Sequence, residues 1–300
     1  MFYFFLIDHI DLIDLIDHID LIDHIDHIKF NLMFAKLFLE LTEFAFFRRL
    51  VWKPIYEMLA RVLPLSEWQF MNYGYVPFPG EAPLALEADD ELQRYPLQLY
   101  HYLAARADVQ GKDMLEVGSG RGGGAHYIAR YLKPARMVGM DLAGNAVKFA
   151  RNTFRQPNLE YVQGNAEALP FADNSFDVVI NVESCHAYGS VPNFLDEVRR
   201  VLRPGGTLVI TDMRGGPGLE LLRQQLHDSG MTVLEETDIT RNVVEAIEAE
   251  EPVKKERIRR LVPRWLTGAF EEFAGVKNSA IHRDLNNRDL IYCRWKLQKV

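Results

Sequence analysis

MLEVGSGRGGGAHYIARYLKPARMVGMD, residues 114–141, is the stretch that decides the fold of this chain. A strand-like run, Met114–Val117, leads into glycines at 118, 120 and 122, which allow the backbone to make a tight turn. A helix predicted over 125–132 then directs its N-terminal amides at a ligand. A second strand over 136–140 ends at Asp141, whose carboxylate can accept hydrogen bonds from both hydroxyls of a ribose. The stretch therefore predicts a nucleotide-cofactor site in an α/β sheet.

Two kinds of cofactor compete for this site. Gly118, Gly120 and Gly123 also satisfy the G-x-G-x-x-G pattern of dinucleotide-binding folds. Glu116, two residues before the first glycine, favours the other cofactor, because a carboxylate there repels a pyrophosphate but suits the ammonium group of S-adenosylmethionine. S-adenosylmethionine is the favoured cofactor. A turn that serves only strand-to-helix packing is the remaining alternative.

Further motifs follow the glycine turn in a fixed order. They are Gly164–Phe171 after a strand-like run, Ser175–Asp177 before the next strand, and Arg203–Gly206 before the strand over 207–211. Together with the glycine turn, they closely resemble the class I S-adenosylmethionine-dependent methyltransferases. Within that superfamily, residues 84–212 resemble the branch of mycobacterial phthiotriolone dimycocerosate methyltransferases and fatty-acid O-methyltransferases. The closer likeness lies in Leu86–Asp89, Leu99–His101 and Asn181–Glu183.

The resemblance implies an α/β, Rossmann-like fold. We expect a mostly parallel seven-stranded sheet with helices on both faces, an antiparallel last strand over 290–297 and an N-terminal helical lid. It also implies that the glycine turn holds the amino-acid end of the cofactor and Asp141 the ribose. Asn165 stands where the family usually has an aspartate, so it can accept a hydrogen bond from adenine without adding charge. The predicted cofactor-binding residues are Glu116, Gly118, Ser119, Gly120, Asp141, Leu142, Asn165, Ala166, Glu167 and Asn181.

His186 and Asp212 are the candidate catalytic residues. Each follows or ends a predicted strand at the carboxyl edge of the sheet, where ligands bind in open parallel sheets. A hydroxyl acceptor must lose a proton as it is methylated, and the ordinary pKa of His186 allows it to take that proton at neutral pH. Asp212 would orient the imidazole. The alternative is that His186 only lines the cofactor pocket.

Composition and charge narrow the class of protein. The chain has 300 residues, 48% of them hydrophobic and 25% charged, which suits one large α/β core. Its net charge of -8 argues against a nucleic acid substrate, because phosphate binding needs a basic face. Two cysteines fit a reducing cytosol and are too few for a zinc site. Without a compact acidic constellation near Asp212, no metal is predicted.

The N-terminal third divides into two segments. Residues 1–32 contain a repeat of Ile-Asp-Leu or Ile-Asp-His every three residues over 7–28. This period gives no persistent apolar face, so we expect residues 1–32 to lie outside the core. Their aspartates exclude a membrane span. Residues 33–108 are predicted as a helical lid and its connection, with amphipathic contact at a membrane surface as the alternative. In the connection, Tyr73, Tyr75 and Phe78 are candidates to line the acceptor pocket.

Residues 109–300 form the predicted cofactor-binding domain, with a helical insertion at about 240–275 that covers the cleft. Its basic cluster over 254–260 alternates with glutamates and is predicted to be a solvated face. The resulting hypothesis is a cytoplasmic methyltransferase that transfers the methyl group of S-adenosylmethionine to oxygen in a small hydrophobic acceptor, such as a lipid or polyketide-like metabolite. Carbon or nitrogen acceptors, and a non-catalytic module with a cofactor fold, remain alternatives. The sequence predicts no oligomeric state.

Overall fold

A computed structural model of the protein describes residues 69–82, 84–261, 267, 271 and 274–300. The predicted N-terminal repeat and the predicted lid as far as residue 68 lie outside these residues, as does most of the stretch 262–273 in the insertion. Within the described ranges, no helix is both long and apolar enough to cross a membrane.

The described residues contain one seven-stranded sheet in the order β3-β2-β1-β4-β5-β7-β6. Strands β1 to β5 pair in parallel, whereas β7 runs antiparallel to both β5 and β6. The predicted Rossmann-like sheet with an antiparallel last strand is therefore confirmed. Its strands are β1 (Asp113–Val117), β2 (Arg136–Asp141), β3 (Leu159–Gln163), β4 (Phe176–Val182), β5 (Leu202–Gly215), β6 (Met231–Asp238) and β7 (Leu290–Lys299).

Helices connect the strands. They are α1 (Arg94–Ala104), α2 (Gly123–Tyr127), α3 (Gly144–Thr153), α4 (Val191–Val201), α5 (Gly216–Asp228), α6 (Thr240–Leu261) and α7 (Ala280–Asn287). Short 3-10 turns lie at Ala88–Gln93 and Cys185–Ala187. The predicted elements agree closely with the observed ones because apolar residues recur at the period that each element needs.

Helix α4 shows how the sequence produces this packing. Phe194, Leu195, Val198 and Val201 recur at helical spacing and are all buried in the core. The Ser190 hydroxyl accepts a hydrogen bond from the amide of Asn193 at 3.2 Å and so caps the start of the helix. The helix covers β5, whose central residues are also buried. Phe194 of α4 also packs against Tyr188 at a centroid distance of 5.0 Å, which links the helix to the loop after β4.

Strand order reverses between β1 and β4, which lie side by side although β2 and β3 come between them in sequence. In open α/β sheets the crevice at such a reversal, outside the carboxyl ends of the strands, is where ligands bind. The glycine turn follows β1, and the loop that contains His186 follows β4. The topology therefore brings both predicted halves of the site to one crevice.

Several predicted boundaries differ from the structure. The sequence predicts one helix over 90–107, whereas the structure has a 3-10 turn followed by α1, which ends at Ala104. The helix predicted over 125–132 begins at Gly123 and widens into a π-helix over Ile128–Leu132. Strand β5 begins at Leu202, before the predicted Arg203–Gly206 turn, and a register shift against β4 accommodates that turn.

The prediction that the basic cluster over 254–260 is a solvated face is wrong for two residues. Lys254 and Arg257 are buried. The ammonium of Lys254 lies 3.2 Å from the carboxylate of Glu250 and donates to the carbonyl of Ala274 at 3.2 Å. Arg259 and Arg260 are exposed, as predicted. Glu250 lies four residues before Lys254 on the same helix, but the carbonyl of Ala274 lies outside α6, so charge alternation within α6 does not reveal this second partner.

Candidate active site

The turn after β1 is fixed by backbone contacts with β2. The amides of Gly118 and Ser119 both donate to the carbonyl of Met140, at 2.8 and 2.9 Å. Gly118 has a φ of 78°, which favours glycine, and a Cβ there would lie 2.9 Å from the hydroxyl oxygen of Tyr188. Glycine at this position thus allows the turn to approach the loop that follows β4.

Asp141 closes the turn from the other side. One carboxylate oxygen accepts from the amide of Gly120 at 2.7 Å, and the other accepts from the amide of Ala143 at 2.8 Å. The carboxylate is only partly buried. Asp141 thus holds the glycine turn beside β2 while remaining accessible at the carboxyl edge of the sheet. Leu142, which follows it, is 50% exposed and offers an apolar surface at the same edge.

Glu116 lies behind the turn. Its side chain is fully buried and accepts a hydrogen bond from the hydroxyl of Tyr100 at 2.6 Å. Burial raises the pKa of Glu116 to about 7, against the lowering effect of the Tyr100 hydrogen bond and with a further increase from the charge of Asp141. A carboxyl group near its midpoint at neutral pH can gain charge when a cation binds nearby.

The predicted adenine side lies after β3. Asn165 is exposed, and its side-chain oxygen accepts from the amide of Glu167 at 3.1 Å. Ala166 is buried. The carboxylate of Glu167 accepts from the amide of Gly189 at 2.9 Å, which ties this loop to the one after β4. The adenine-side residues thus form a local turn at the edge of the same crevice.

Asn181 joins the cofactor half of the crevice to the other half. It lies near the end of β4, is fully buried, and donates to the carbonyl of Val117 at 2.9 Å. The same side-chain nitrogen lies 2.8 Å from the hydroxyl of Ser184 and 2.9 Å from that of Tyr188. The last residue of β1 and the loop over 184–188 are therefore held by one amide group.

His186 and Asp212 form a direct pair on the other half. Nδ1 of His186 lies 2.6 Å from a carboxylate oxygen of Asp212, and the backbone amide of His186 donates to the second oxygen at 3.1 Å. Asp212 is fully buried at the end of the buried part of β5. Because the carboxylate can only accept, it selects the tautomer with a proton on Nδ1 and leaves the lone pair on Nε2. The predicted juxtaposition of the two residues is present in the structure.

Comparison with known proteins decides the family. A model of the family described as "Methyltransferase domain" matches residues 115–210. A probable phthiotriol/phenolphthiotriol dimycocerosates methyltransferase 2 of Mycobacterium ulcerans (strain Agy99) is 40% identical over 75% of this chain and 87% of its own length. A fatty-acid O-methyltransferase of Mycolicibacterium smegmatis is 39% identical over 76% of this chain and 82% of its own.

This chain belongs to the class I S-adenosylmethionine-dependent methyltransferases. The predicted family and cofactor are thus confirmed. Among solved structures, the [4+2]-cyclase SpnF matches with a TM-score of 0.65 and 20% identity, over 82% of this chain and 94% of that chain. Identity at that level supports the fold alone.

The methyltransferase crevice has features that fit a polar cofactor. The side-chain oxygens of Ser119 and Asn181 are buried and have no hydrogen-bond partner among the residues that the structure describes. Buried polar atoms are almost always paired, so such atoms beside the glycine turn suit a site that holds a polar ligand or water. The exposed face of Leu142 suits the flat face of adenine.

Charges around Asp212 set the protonation states of Asp212 and His186 in this methyltransferase. Burial alone would raise the pKa of Asp212, but Arg214, His186 and Cys185 outweigh it and hold that pKa well below its usual range. Burial lowers the pKa of His186 below 6.5, although Asp212 acts in the opposite direction. At neutral pH the pair is therefore a carboxylate beside a neutral imidazole, the form in which histidine can accept a proton.

Sequence reasoning missed two residues of this methyltransferase site. A guanidinium nitrogen of Arg214 lies 2.9 Å from the Asp212 carboxylate, a contact that the i,i+2 spacing on β5 did not indicate. Glu183 appears in the quoted Asn181–Glu183 motif but not among the candidate site residues. Its carboxylate accepts hydrogen bonds from the amide of Tyr73, at 3.0 Å, and from the hydroxyl of Tyr292. Both partners are distant in sequence, so the sequence alone gave no signal.

The aromatic candidates for the acceptor pocket differ in exposure. Tyr75 is buried and stacks on Tyr102 at a centroid distance of 4.3 Å, which is core packing. Tyr73 is also buried, whereas Phe78 is 37% exposed. As for metals, the described ranges contain no group of three or more histidine, cysteine, aspartate or glutamate side chains placed to hold an ion.

Proposed function

We propose that this methyltransferase transfers a methyl group from S-adenosylmethionine to an oxygen atom of a small hydrophobic lipid, with His186 as the general base. The observation that carries the proposal is the hydrogen-bonded pair of His186 and Asp212. Asn181 connects the loop that contains His186 to Val117, the residue before the glycine turn. The names of the similar proteins, a fatty-acid O-methyltransferase and a phthiotriol dimycocerosates methyltransferase, support a lipid acceptor.

The cofactor-binding role is assigned to the predicted residues around the turn. Asp141 would hold the ribose hydroxyls, and Leu142, Asn165 and Ala166 would line the adenine side. When bound there, the cofactor supplies a methyl group on a positively charged sulfur. The buried carboxyl group of Glu116, whose pKa lies at about 7, can take up negative charge behind that cation.

The catalytic step requires a proton acceptor and alignment. A bond forms between the acceptor oxygen and the methyl carbon as the bond between that carbon and sulfur breaks. The proton of the hydroxyl passes to Nε2 of His186, and Asp212 stabilises the imidazolium that results. If the acceptor is a carboxylate, no proton is transferred, and His186 and its neighbours only position the oxygen. Alignment of oxygen, carbon and sulfur supplies the larger part of the acceleration.

The proposed location of the enzyme is the cytoplasm, with an acceptor that it takes from a lipid phase or from a carrier. We propose no nucleic acid partner, because the net charge of -8 disfavours one.

The test is methyl transfer from S-adenosylmethionine labelled in its methyl group. The purified protein is incubated with matched long-chain fatty acids, fatty alcohols and alkyl phenols, and products are identified by mass spectrometry. We expect label in a methyl ester or methyl ether of one class. Label on carbon or nitrogen would overturn the O-methylation, and binding of the cofactor without transfer to any acceptor in a broad lipid extract would favour a non-catalytic module.

A further inference from the structure

Residues 69–76, here called the crossing segment, have no regular secondary structure, yet Asn72 to Tyr75 are all buried. Buried backbone needs hydrogen-bond partners wherever it lies. At the C-terminal end of the crossing segment, the amide of Tyr75 donates to the carbonyl of Tyr95 and that of Val76 donates to the carbonyl of Asn242, each at 3.1 Å. Helices α1 and α6 therefore hold this end.

The N-terminal end of the crossing segment lies against the glycine turn. A Cβ on Gly123 would lie 2.8 Å from the carbonyl oxygen of Gln69 and 2.8 Å from the ring of Phe70. A Cβ on Gly120 would lie 3.9 Å from the sulfur of Met71, which is 40% exposed. Residues 69–71 thus lie beside the glycine turn and the start of α2, the helix that follows it.

Between these two ends, the crossing segment meets Glu183. The carboxylate of Glu183 accepts from the amide of Tyr73 at 3.0 Å and from the hydroxyl of Tyr292 on β7. A single side chain at the end of β4 therefore connects the crossing segment to β7. Hydrogen bonds to a carboxylate are among the stronger ones in proteins.

The backbone at Glu183 supports a specific role for this side chain. Glu183 has a φ of 45°, a left-handed conformation that is strained for a residue with a side chain. Its amide donates to the carbonyl of Thr211 on β5 at 2.9 Å. Strained residues of this kind persist where surrounding contacts fix them, and they cluster at functional sites.

We propose that Glu183 is a positioning residue that pins the crossing segment at the amide of Tyr73 and thereby keeps residues 69–71 against the glycine turn. The carboxylate of Glu183 then governs how tightly the cofactor is held, although Glu183 directly follows β4 and is not part of the glycine turn. The placement of the cofactor beside residues 69–71 rests on the proposed function, whereas the pinning of the segment does not.

The test compares Glu183→Ala with Glu183→Gln. The alanine variant removes the one oxygen, Oε1, that accepts both hydrogen bonds. We therefore expect the Kd for S-adenosylmethionine, measured by calorimetry, to rise about tenfold, the usual effect of losing a hydrogen bond to a charged group. Hydrogen–deuterium exchange without cofactor should rise in residues 69–76 but not in β1 or β4. The glutamine side chain keeps an oxygen that can accept both hydrogen bonds, so both quantities should stay near the wild-type values.

Glu160→Ala is the matched control, because Glu160 is exposed on β3 and pairs with Arg136 at the surface. It should change neither quantity. Wild-type cofactor affinity and wild-type exchange in Glu183→Ala would overturn the proposal, and so would exchange that rises equally in β1 and β4, which would indicate a general loss of stability.

If Glu183→Ala does not fold, Tyr292→Phe replaces it. That variant removes one of the two donors to the carboxylate and should raise exchange in residues 69–76 by a smaller factor, whereas unchanged exchange there would count against the proposal. A wild-type protein that fails to bind S-adenosylmethionine would end the proposed function but leave the exchange result standing.

Discussion

Asp212 contacts His186 twice, through Nδ1 of the ring at 2.6 Å and through the backbone amide at 3.1 Å. One carboxylate therefore fixes both the orientation of the imidazole and the position of the loop that contains it. This double contact needs the strands β4 and β5 to be neighbours, with Val182 of β4 paired with Thr211 of β5.

Replacement of His186 tests its role as the base. With a hydroxyl acceptor, we expect His186→Ala to lower kcat by about 10² or more, the usual contribution of a positioned general base. The Kd for S-adenosylmethionine should not change. His227→Ala is the control, since that histidine is 85% exposed. Full turnover of the alanine variant on its true acceptor would remove His186 from the mechanism.

The pH at which kcat/KM reaches its midpoint should depend on the positive charge of Arg214, because that charge lowers the pKa of His186. Burial lowers the pKa of His186 below 6.5, and the nearby guanidinium lowers it further. For a hydroxyl acceptor, kcat/KM should therefore rise with pH through a midpoint below 6.5, as the imidazole loses its proton. Arg214→Met should shift that midpoint to higher pH, whereas Arg214→Lys should shift it less. Identical midpoints in all three proteins would show that Arg214 does not tune the histidine.

Asp141→Asn tests the ribose contact. The carboxylate has two accepting oxygens, and the amide replaces one of them with a donor. We expect the Kd for S-adenosylmethionine to rise about tenfold or more, as for the loss of a charged hydrogen bond. Asp228→Asn changes an exposed aspartate at the end of α5 and serves as the control. Equal affinities of the two variants would place the ribose elsewhere.

Gly122→Ala should destabilise the protein. Gly122 has a φ of 87°, and a Cβ there would lie 2.6 Å from the ring of Tyr161 and 2.7 Å from Ala150. We expect the free energy of unfolding in urea to fall by about 2 kcal/mol, from strain and overpacking together. Gly216→Ala is the matched control, because no atom lies within 4 Å of a Cβ at that position. A loss of stability in the control but not in Gly122→Ala would contradict this account.

Glu116→Gln should change how stability depends on pH. The folded protein raises the pKa of Glu116 from 4.5 to about 7, so its contribution to stability is full below pH 4.5 and is lost as pH rises towards 7. The loss is about 3 kcal/mol at most. The glutamine variant should show a smaller decline in unfolding free energy over this range in the absence of cofactor. Glu245→Gln, at an exposed position, should decline as the wild type does.

Local sequence patterns predicted most of the fold and of the cofactor half of the site. Apolar runs of strand length and the glycines at 118, 120 and 122 produce their structure within a few residues, so β1, the turn and Asp141 agree with prediction. The pair of His186 and Asp212 was predictable because His186 follows β4 and Asp212 lies towards the C-terminal end of the adjacent strand β5, an arrangement that the family topology fixes.

Contacts between distant segments were not predictable in the same way. The partners of Glu183, Tyr73 and Tyr292, are separated from it by 110 and 109 residues. Lys254 pairs with Glu250 within α6, but its burial also involves the carbonyl of Ala274, 20 residues away, which the alternation of charge in α6 does not reveal. Side-chain contacts of this kind depend on how loops lie on the sheet, which no local period encodes.

The two cysteines of the chain, Cys185 and Cys293, are both buried, and burial raises the pKa of each thiol above its ordinary value. Neither can react readily with maleimides or other alkylating reagents, because the reactive form is an accessible thiolate. A cysteine introduced at an exposed position would therefore be the one that such a reagent modifies. The native protein is thus suited to site-specific labelling with fluorophores or spin labels, without prior removal of its own thiols.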